Sequence, residues 1–352
     1  MINFEIYSEP KKFYKKMLED IMNAKEYIYL ECHIYQDDFI GKKFRRALTK
    51  RSAEGIKVKL LIDAWGAKID KKKYFKRLIK NGGEIRYFRE IKYVLRFLSK
   101  NHERNHRKLL LIDDEISYIG SANISSEFYP DGRELVMRID GNITLIFAKT
   151  FLNSWDSAGG LNKKRIKSLF HRGFEIIQDA PSEIYKATER RYVKLIYSAG
   201  KEILIESPYF VPSRGVRKAF VRAIKRNVKV RLILPHYSDM KIADIVRARY
   251  LGEAYRGGIE IYYYPRHKLH SKLLIIDDKF FLFGSSNLDY RSFLYQFEIN
   301  LLGKNKRMIH ALKKSYYQAL GKCIPFNYGE WKQRSSIDKF LDLFSLLIRK
   351  YV

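Results

Sequence analysis

The feature that most constrains this chain is an internal duplication that carries its own chemistry. The run His106-x-Lys108-x4-Asp113-x6-Gly120-Ser121-x-Asn123 returns as His270-x-Lys272-x4-Asp277-x6-Gly284-Ser285-x-Asn287 with every spacing unchanged. A glutamate follows each copy at one distance, Glu134 lying 21 residues after Asp113 and Glu298 lying 21 after Asp277. The repeat extends upstream. A-K-E-Y-I-Y-L-E-C-H-I-Y at 24–35 matches A-G-K-E-I-L-I-E-S-P-Y-F at 199–210, and each places a glutamate, Glu31 or Glu206, near the end of a strand-like run. Amphipathic basic stretches at 41–54 and 215–227 read as helices. The strands V-K-L-L-I-D and V-R-L-I-L-P follow, then the glycine pairs Gly82-Gly83 and Gly257-Gly258, each before a short strand. Five elements recurring in one order exclude coincidence as the source of the motif match.

Strands alternating with helices predict an α/β fold with a mixed or largely parallel sheet. The runs K-L-L-L-I-D and K-L-L-I-I-D do not alternate, as expected of strands buried on both faces. The expected architecture is two tandem α/β units related by pseudo-twofold symmetry, each a mixed sheet flanked by helices. The expected division is 1–160 for the first unit, 161–190 as a polar, basic connecting segment, 191–328 for the second unit, and 329–352 as an amphipathic tail. The first copy carries extra length between its glycine pair and its histidine, 24 positions against 13, and the surplus is the basic, aromatic stretch 91–101. That stretch reads either as a packed loop and helix or as a flap that touches lipid.

Composition narrows the partners. The 352 residues carry 69 Lys+Arg against 39 Asp+Glu, a formal charge of +30, with 46% hydrophobic residues. A chain so rich in core material is not disordered throughout. Its charge points to nucleic acid or an acidic lipid surface. Two cysteines, Cys32 and Cys323, outside any C-x-x-C pattern argue against a disulfide scaffold or a thiolate zinc site. No signal peptide and no run long enough to span a membrane is expected.

The chemistry follows from side-chain placement. Positions i and i+2 of a strand share a side, so His106 projects with Lys108 and His270 with Lys272. Asn123 and Asn287, with Ser121 and Ser285, can join them at the same sheet end. If the halves pack about a pseudo-twofold axis, the result is a pocket with two cations, amide donors and two imidazoles, which suits a phosphate. One unprotonated histidine attacks phosphorus and the other donates a proton to the leaving oxygen, with no metal or cofactor required. Lysine and asparagine stabilise the charge of the transition state. Glu134 and Glu298 are the candidates to orient the imidazoles. Asp113 and Asp277 complete the catalytic motif, although at the far end of the strand they are expected to shape a turn. His33, His102, His171, His236, His267 and His310 read as ordinary polar residues, His102 and His267 being near enough to line an entrance. The tail from Ser336 places Ile337, Phe340, Leu341, Phe344, Leu347 and Ile348 on one helical stripe, which reads as an interfacial anchor or as a packing face. Lys71-Lys72-Lys73 and Lys163-Lys164-Arg165 read as solvated charge runs.

The paired motifs resemble the phospholipase D superfamily. Y-L-E-C-H-I-Y-Q-D-D-F-I-G, I-E-S-P-Y-F-V-P, L-H-S-K-L-L-I-I-D-D-K-F-F-L-F-G-S-S-N-L-D-Y-R-S-F and Q-F-E-I-N-L are most similar to bacterial cardiolipin synthases. The resemblance runs from about residue 10 to 320. It implies transfer of a phosphatidyl group from phosphatidylglycerol to a histidine and then to a second phosphatidylglycerol, giving cardiolipin and glycerol. It also implies His106 as nucleophile and His270 as acid/base; the symmetry of the motifs alone leaves these interchangeable. The expected partner is an anionic, phosphatidylglycerol-containing membrane, met peripherally at its cytoplasmic face. The chain is similar to the shorter synthases that lack N-terminal membrane helices. E-F-Y-P-D-G-R-E-L after the first motif departs from the aspartate-threonine-histidine run of many synthases, a difference that bears on the acceptor. Two other readings stand beside this one: a phosphodiesterase that hydrolyses phospholipid or nucleic acid, though no nucleic-acid module is visible, and a non-catalytic lipid-binding protein.

Overall fold

The structure, a computed structural model, describes residues 2–89, 103–158, 166–265, 269–335 and 339. The stretch 91–101, His102, Lys163-Lys164-Arg165, His267 and the apolar stripe of the tail lie outside the described residues. The chain divides into two compact units, one of Met1–His171 with Phe297–Ile299 and one of Arg172–Gln296 with Asn300–Val352.

In the first unit seven strands form one sheet in the order Asn3–Tyr7, Val136–Asp140, Ile116–Gly120, Leu109–Ile112, Tyr27–Cys32, Lys57–Asp63, Glu84–Phe88. Tyr27–Cys32, Lys57–Asp63 and Glu84–Phe88 run parallel, and the remaining pairs are antiparallel. The sheet is therefore mixed. Leu109, Leu110, Leu111 and Ile112 are all buried, which is why that strand shows no alternation. Helix Phe39–Ala53 begins at Asp38, whose side chain accepts from the Gly41 N–H at 2.9 Å. It presents Ile40, Phe44 and Leu48, at i, i+4 and i+8, to the core. Burial of each contributes about 1.5–3 kcal/mol.

The second unit repeats this plan. Phe174–Asp179, Gln296–Gly303, Phe280–Gly284, Leu273–Ile276, Glu202–Glu206, Lys229–Pro235 and Glu260–Tyr264 follow one another in the order of their counterparts. The parallel pairs again join the three strands at one side, and Leu273–Ile276 again runs antiparallel to its neighbours. Helix Arg214–Lys225, capped by Ser213, buries Val216, Ala219, Phe220 and Ala223. The recurring glycine pairs lie in the turns that lead into the third parallel strand. Gly82 at φ +89 and Gly258 at φ +95 take up backbone that a Cβ would strain.

Two boundaries differ from the sequence reading. Phe174–Asp179, which falls inside 161–190, is a fully buried strand of the second sheet. Helix Ala187–Ser198 follows it as Pro10–Met22 follows Asn3–Tyr7. The duplicated unit thus starts one strand and one helix earlier than the motif match suggests. The acidic and amide positions in F-E-I-I-Q-D hid the strand. Phe297–Ile299, in the second repeat by sequence, belongs to the first compact unit.

Candidate active site

In the first unit the segment before strand Leu109–Ile112 is held from both sides. Asp63, at the end of its parallel strand, accepts from the Asn105 N–H at 2.8 Å and faces Arg104 at 3.6 Å. Glu31, near the end of Tyr27–Cys32, accepts from Asn105 Nδ2 at 2.7 Å. Both carboxylates are fully buried. Burial pushes each carboxyl above its ordinary range, Arg107 opposing this at Glu31 and Arg104 at Asp63. Arg107 is itself buried and donates to Ser154 Oγ at 2.7 Å. This scaffold presents His106.

The His106 backbone N–H donates to the Phe297 carbonyl at 2.9 Å, and Nδ1 lies 2.9 Å from Glu298 Oε1. A carboxylate only accepts, so the proton sits on Nδ1 and the lone pair on Nε2. That is the tautomer a nucleophilic imidazole needs. Lys108 Nζ donates to the His106 carbonyl at 2.6 Å. Burial pushes its ammonium down to about 8, while the carboxylates of Glu298 and Glu134 act to keep it charged. Asn123 accepts through Oδ1 from the Ile34 N–H at 3.1 Å, which turns its Nδ2 donor the other way. The Tyr14 hydroxyl fixes the Asn123 carbonyl at 2.7 Å.

Ser121, expected to hold phosphate, has a different partner set. Its hydroxyl donates to Glu134 and accepts from the Leu135 N–H at 2.9 Å. This fully buried hydroxyl is thereby engaged in holding Glu134. The motif aspartates are equally committed. Asp113 accepts from the backbone N–H groups of Lys25, Glu26 and Tyr27 at 3.0, 2.8 and 3.0 Å. Asp277 does the same for Gly200, Lys201 and Glu202 at 3.0, 2.8 and 3.0 Å. Both have φ +52, a left-handed turn that aspartate tolerates. Each carboxylate pins the start of the strand adjacent to its own motif strand.

The second unit carries the matching set. Lys272 Nζ donates to the His270 carbonyl at 2.6 Å, as in the first copy. His270, Lys272, Ser285 and Asn287 are all buried. Asn287 donates its N–H to Ser292 Oγ at 3.1 Å, and its buried Oδ1 has no partner among the described residues. Glu206, the counterpart of Glu31, accepts from Ser271. Buried Asp289 caps the short helix Tyr290–Leu294 through the Ser292 N–H at 2.7 Å; burial raises its carboxyl to about 6, with the Ser292 N–H, Arg291 and Lys272 opposing.

Two features escaped the sequence. His33, read there as an ordinary polar residue, is buried, donates from Nδ1 to the Asn105 carbonyl at 2.8 Å, and sets its ring 5.1 Å from that of His106. No repeat signal marks it, because Pro208 occupies the matching position. The clamp by Glu31 and Asp63 also went unassigned, although the recurrence of Glu31 and Glu206 was its visible trace.

A fold of two such units, each with a buried His-x-Lys leading into a central strand of a mixed sheet, defines the phospholipase D-like class. The sequence matches the family described as "Cardiolipin synthase, PLD-like domain" over residues 17–155 and again over 192–319, and the chain belongs to that family. It is 30% identical to a cardiolipin synthase of Listeria welshimeri, over 98% of this chain and 74% of the relative. It is 28% identical to the major cardiolipin synthase of Bacillus subtilis, over 94% and 71%. Among solved structures, a phosphatidylserine synthase of Haemophilus influenzae superposes with a TM-score of 0.78 at 14% identity, over 99% of this chain and 95% of that one. A polyphosphate kinase of Porphyromonas gingivalis superposes at 0.66 with 12% identity, over 98% and 53%. These two likenesses concern the fold.

Proposed function

We propose that the chain is a phosphatidyltransferase of the cardiolipin synthase type. It moves a phosphatidyl group between two phosphatidylglycerol molecules through a phosphohistidine. His106 Nε2 attacks phosphorus, and the bond from phosphorus to the glycerol oxygen breaks. The leaving oxygen takes its proton from His270, and glycerol departs. His270 then removes the proton from the hydroxyl of a second phosphatidylglycerol. That oxygen attacks phosphorus, the P–N bond breaks, and cardiolipin forms with His106 restored. Lys108, Lys272, Asn123 and Asn287 hold the phosphoryl oxygens. Glu298 orients His106, and Glu134 has the corresponding part for His270.

The observation that supports this reading is the bond between His106 Nδ1 and Glu298 at 2.9 Å. It fixes the lone pair on Nε2 and stabilises the positive charge the ring takes on when Nε2 bonds to phosphorus. Sequence symmetry leaves the two histidines interchangeable, and the resemblance of the first motif to that of the family is what assigns His106 as nucleophile. The proposed setting is the surface of an anionic membrane, at its cytoplasmic face. Among the described residues no helix is long and apolar enough to cross a bilayer.

The test is incubation of the full chain, without metal, with phosphatidylglycerol vesicles and separately with single-stranded DNA. Cardiolipin and glycerol in equal amounts support transfer. Phosphatidic acid and glycerol would mean hydrolysis, and cut DNA would mean a nuclease; either result overturns the proposal.

A further inference from the structure

Beside the catalytic segment of the first unit stands an exposed aromatic ridge that the chemistry does not use. Trp65 is 56% exposed and Phe39 is 43% exposed, large values for such side chains. Both are fixed in place. The Trp65 N–H donates to Asp63 Oδ1 at 2.9 Å, and Asp63 is the carboxylate that anchors the segment leading to His106. The next residue, Gly66, sits so close to the His33 carbonyl that a Cβ would come within 1.9 Å of it. The loop is thereby pressed down and the indole directed outward, 6.1 Å from the His33 ring.

Short strands Tyr35–Gln36 and Ala67–Lys68 pair in parallel and tie this loop to the start of helix Phe39–Ala53. There Phe39 packs edge-on against Tyr129 at 4.8 Å, and Lys43 lies 5.7 Å from its ring centroid. Lys42, Lys43 and Lys68 are exposed around the ridge. Aromatic groups held outward and ringed by lysines match the zone where acyl chains meet anionic headgroups. The repeat supplies an independent parallel. At the end of strand Lys229–Pro235, the counterpart of the strand that precedes Trp65, the second unit exposes Tyr237, Ile242 and Ile245 with Lys241.

We infer that Phe39, Trp65 and Tyr129, with Lys42, Lys43 and Lys68, form the surface by which the first unit docks on an anionic phospholipid bilayer. The inference rests on the phosphatidyltransfer reading and adds to it the patch that meets the membrane. Trp65 enters the interfacial zone, and the lysines meet the headgroup phosphates.

The experiment uses the full chain with vesicles of phosphatidylcholine containing about 30 mol% phosphatidylglycerol, and with phosphatidylcholine alone. Tryptophan emission shifts to the blue on the anionic vesicles, and Trp65→Phe removes the shift while cosedimentation persists. The double variant Phe39→Ser/Lys43→Ser binds anionic vesicles about tenfold more weakly. Its turnover of monomeric short-chain phosphatidylglycerol stays within about twofold of wild type, since neither residue is in the site. A shift that survives in Trp65→Phe, or a double variant that binds vesicles like wild type, overturns the surface. A wild-type chain that binds and shifts but forms no product from either substrate overturns the transferase reading and leaves the surface standing.

Discussion

The two units share a sheet order, a motif and a lysine geometry, yet they surround their histidines differently. In the first, buried Glu31 faces a buried arginine, Arg107, and an asparagine, Asn105. In the second, Glu206 accepts from a neutral serine, Ser271. The first unit also brings His33 beside the His106 ring, where the second has a proline. Duplication preserved what phosphate chemistry requires of both copies. It left each copy's support free to differ, Arg107 facing Glu31 where Ser271 donates to Glu206.

The largest expected effects separate the two histidines. His106→Ala and His270→Ala each lower transfer by a factor on the order of 10³ or more. Only His270→Ala accumulates an acid-labile phosphoenzyme from a substrate with an activated leaving group, read as a mass increase of the intact protein. A phosphoenzyme in His106→Ala instead would reverse the assignment. Next comes Glu298→Gln, which removes the charge that stabilises the imidazolium. We expect kcat to fall by about 10²–10⁴ with KM little changed; an equal rise in KM would mean that Glu298 serves substrate binding.

The supports should differ in stability. Arg107→Ala leaves buried Glu31 without its countercharge and costs about 3–5 kcal/mol. Ser271→Ala removes one hydrogen bond to Glu206 and costs about 1–3 kcal/mol. Denaturant midpoints measure both, and equal losses would erase the contrast drawn between the units.

Two further effects depend on pH. Lys108 is cationic below about 8 and loses its charge above it. Transfer efficiency should therefore decline as pH rises through 8, by up to about tenfold per unit, and whatever activity Lys108→Arg retains should lack that decline. Asp277 shows the opposite sign. Burial acts to raise its carboxyl, but the N–H groups of Glu202, Gly200 and Lys201 outweigh it and hold the carboxyl below its ordinary value. A depressed folded pKa gives stability that is present above the unfolded pKa, about 4, and is lost as pH falls through the folded value. Asp277→Asn should lower stability by about 1.5–3 kcal/mol at neutral pH, and the gap to wild type should close on acidification. A melting series from neutral to acid pH reads this directly.

Much of the molecule was legible beforehand because the duplication is a comparison built into one chain. The recurring strand-helix order gave two like α/β units, and the unvarying spacing singled out His106, Lys108, His270 and Lys272. Local patterns also predict helices at 41–54 and 215–227, within two residues of Phe39–Ala53 and Arg214–Lys225, since apolar spacing acts over a few residues. What stayed hidden depends on residues far apart in sequence. Glu298 meets His106 across 192 positions, and Asp63 reaches Asn105 across 42. Ser121 sits in the motif, but its Glu134 contact decides that its hydroxyl holds a carboxylate.

Sequence by itself determined the fold class, the duplicated chemistry and the tautomer-setting residue types, because periodicity and spacing are properties of a line. Tertiary structure alone decided that Glu298 meets His106, that Asp113 and Asp277 pin strand ends, and that His33 stands beside His106. Those outcomes depend on which buried groups end up within about 3 Å of one another, and a desolvated carboxylate takes whatever donor the fold brings to it.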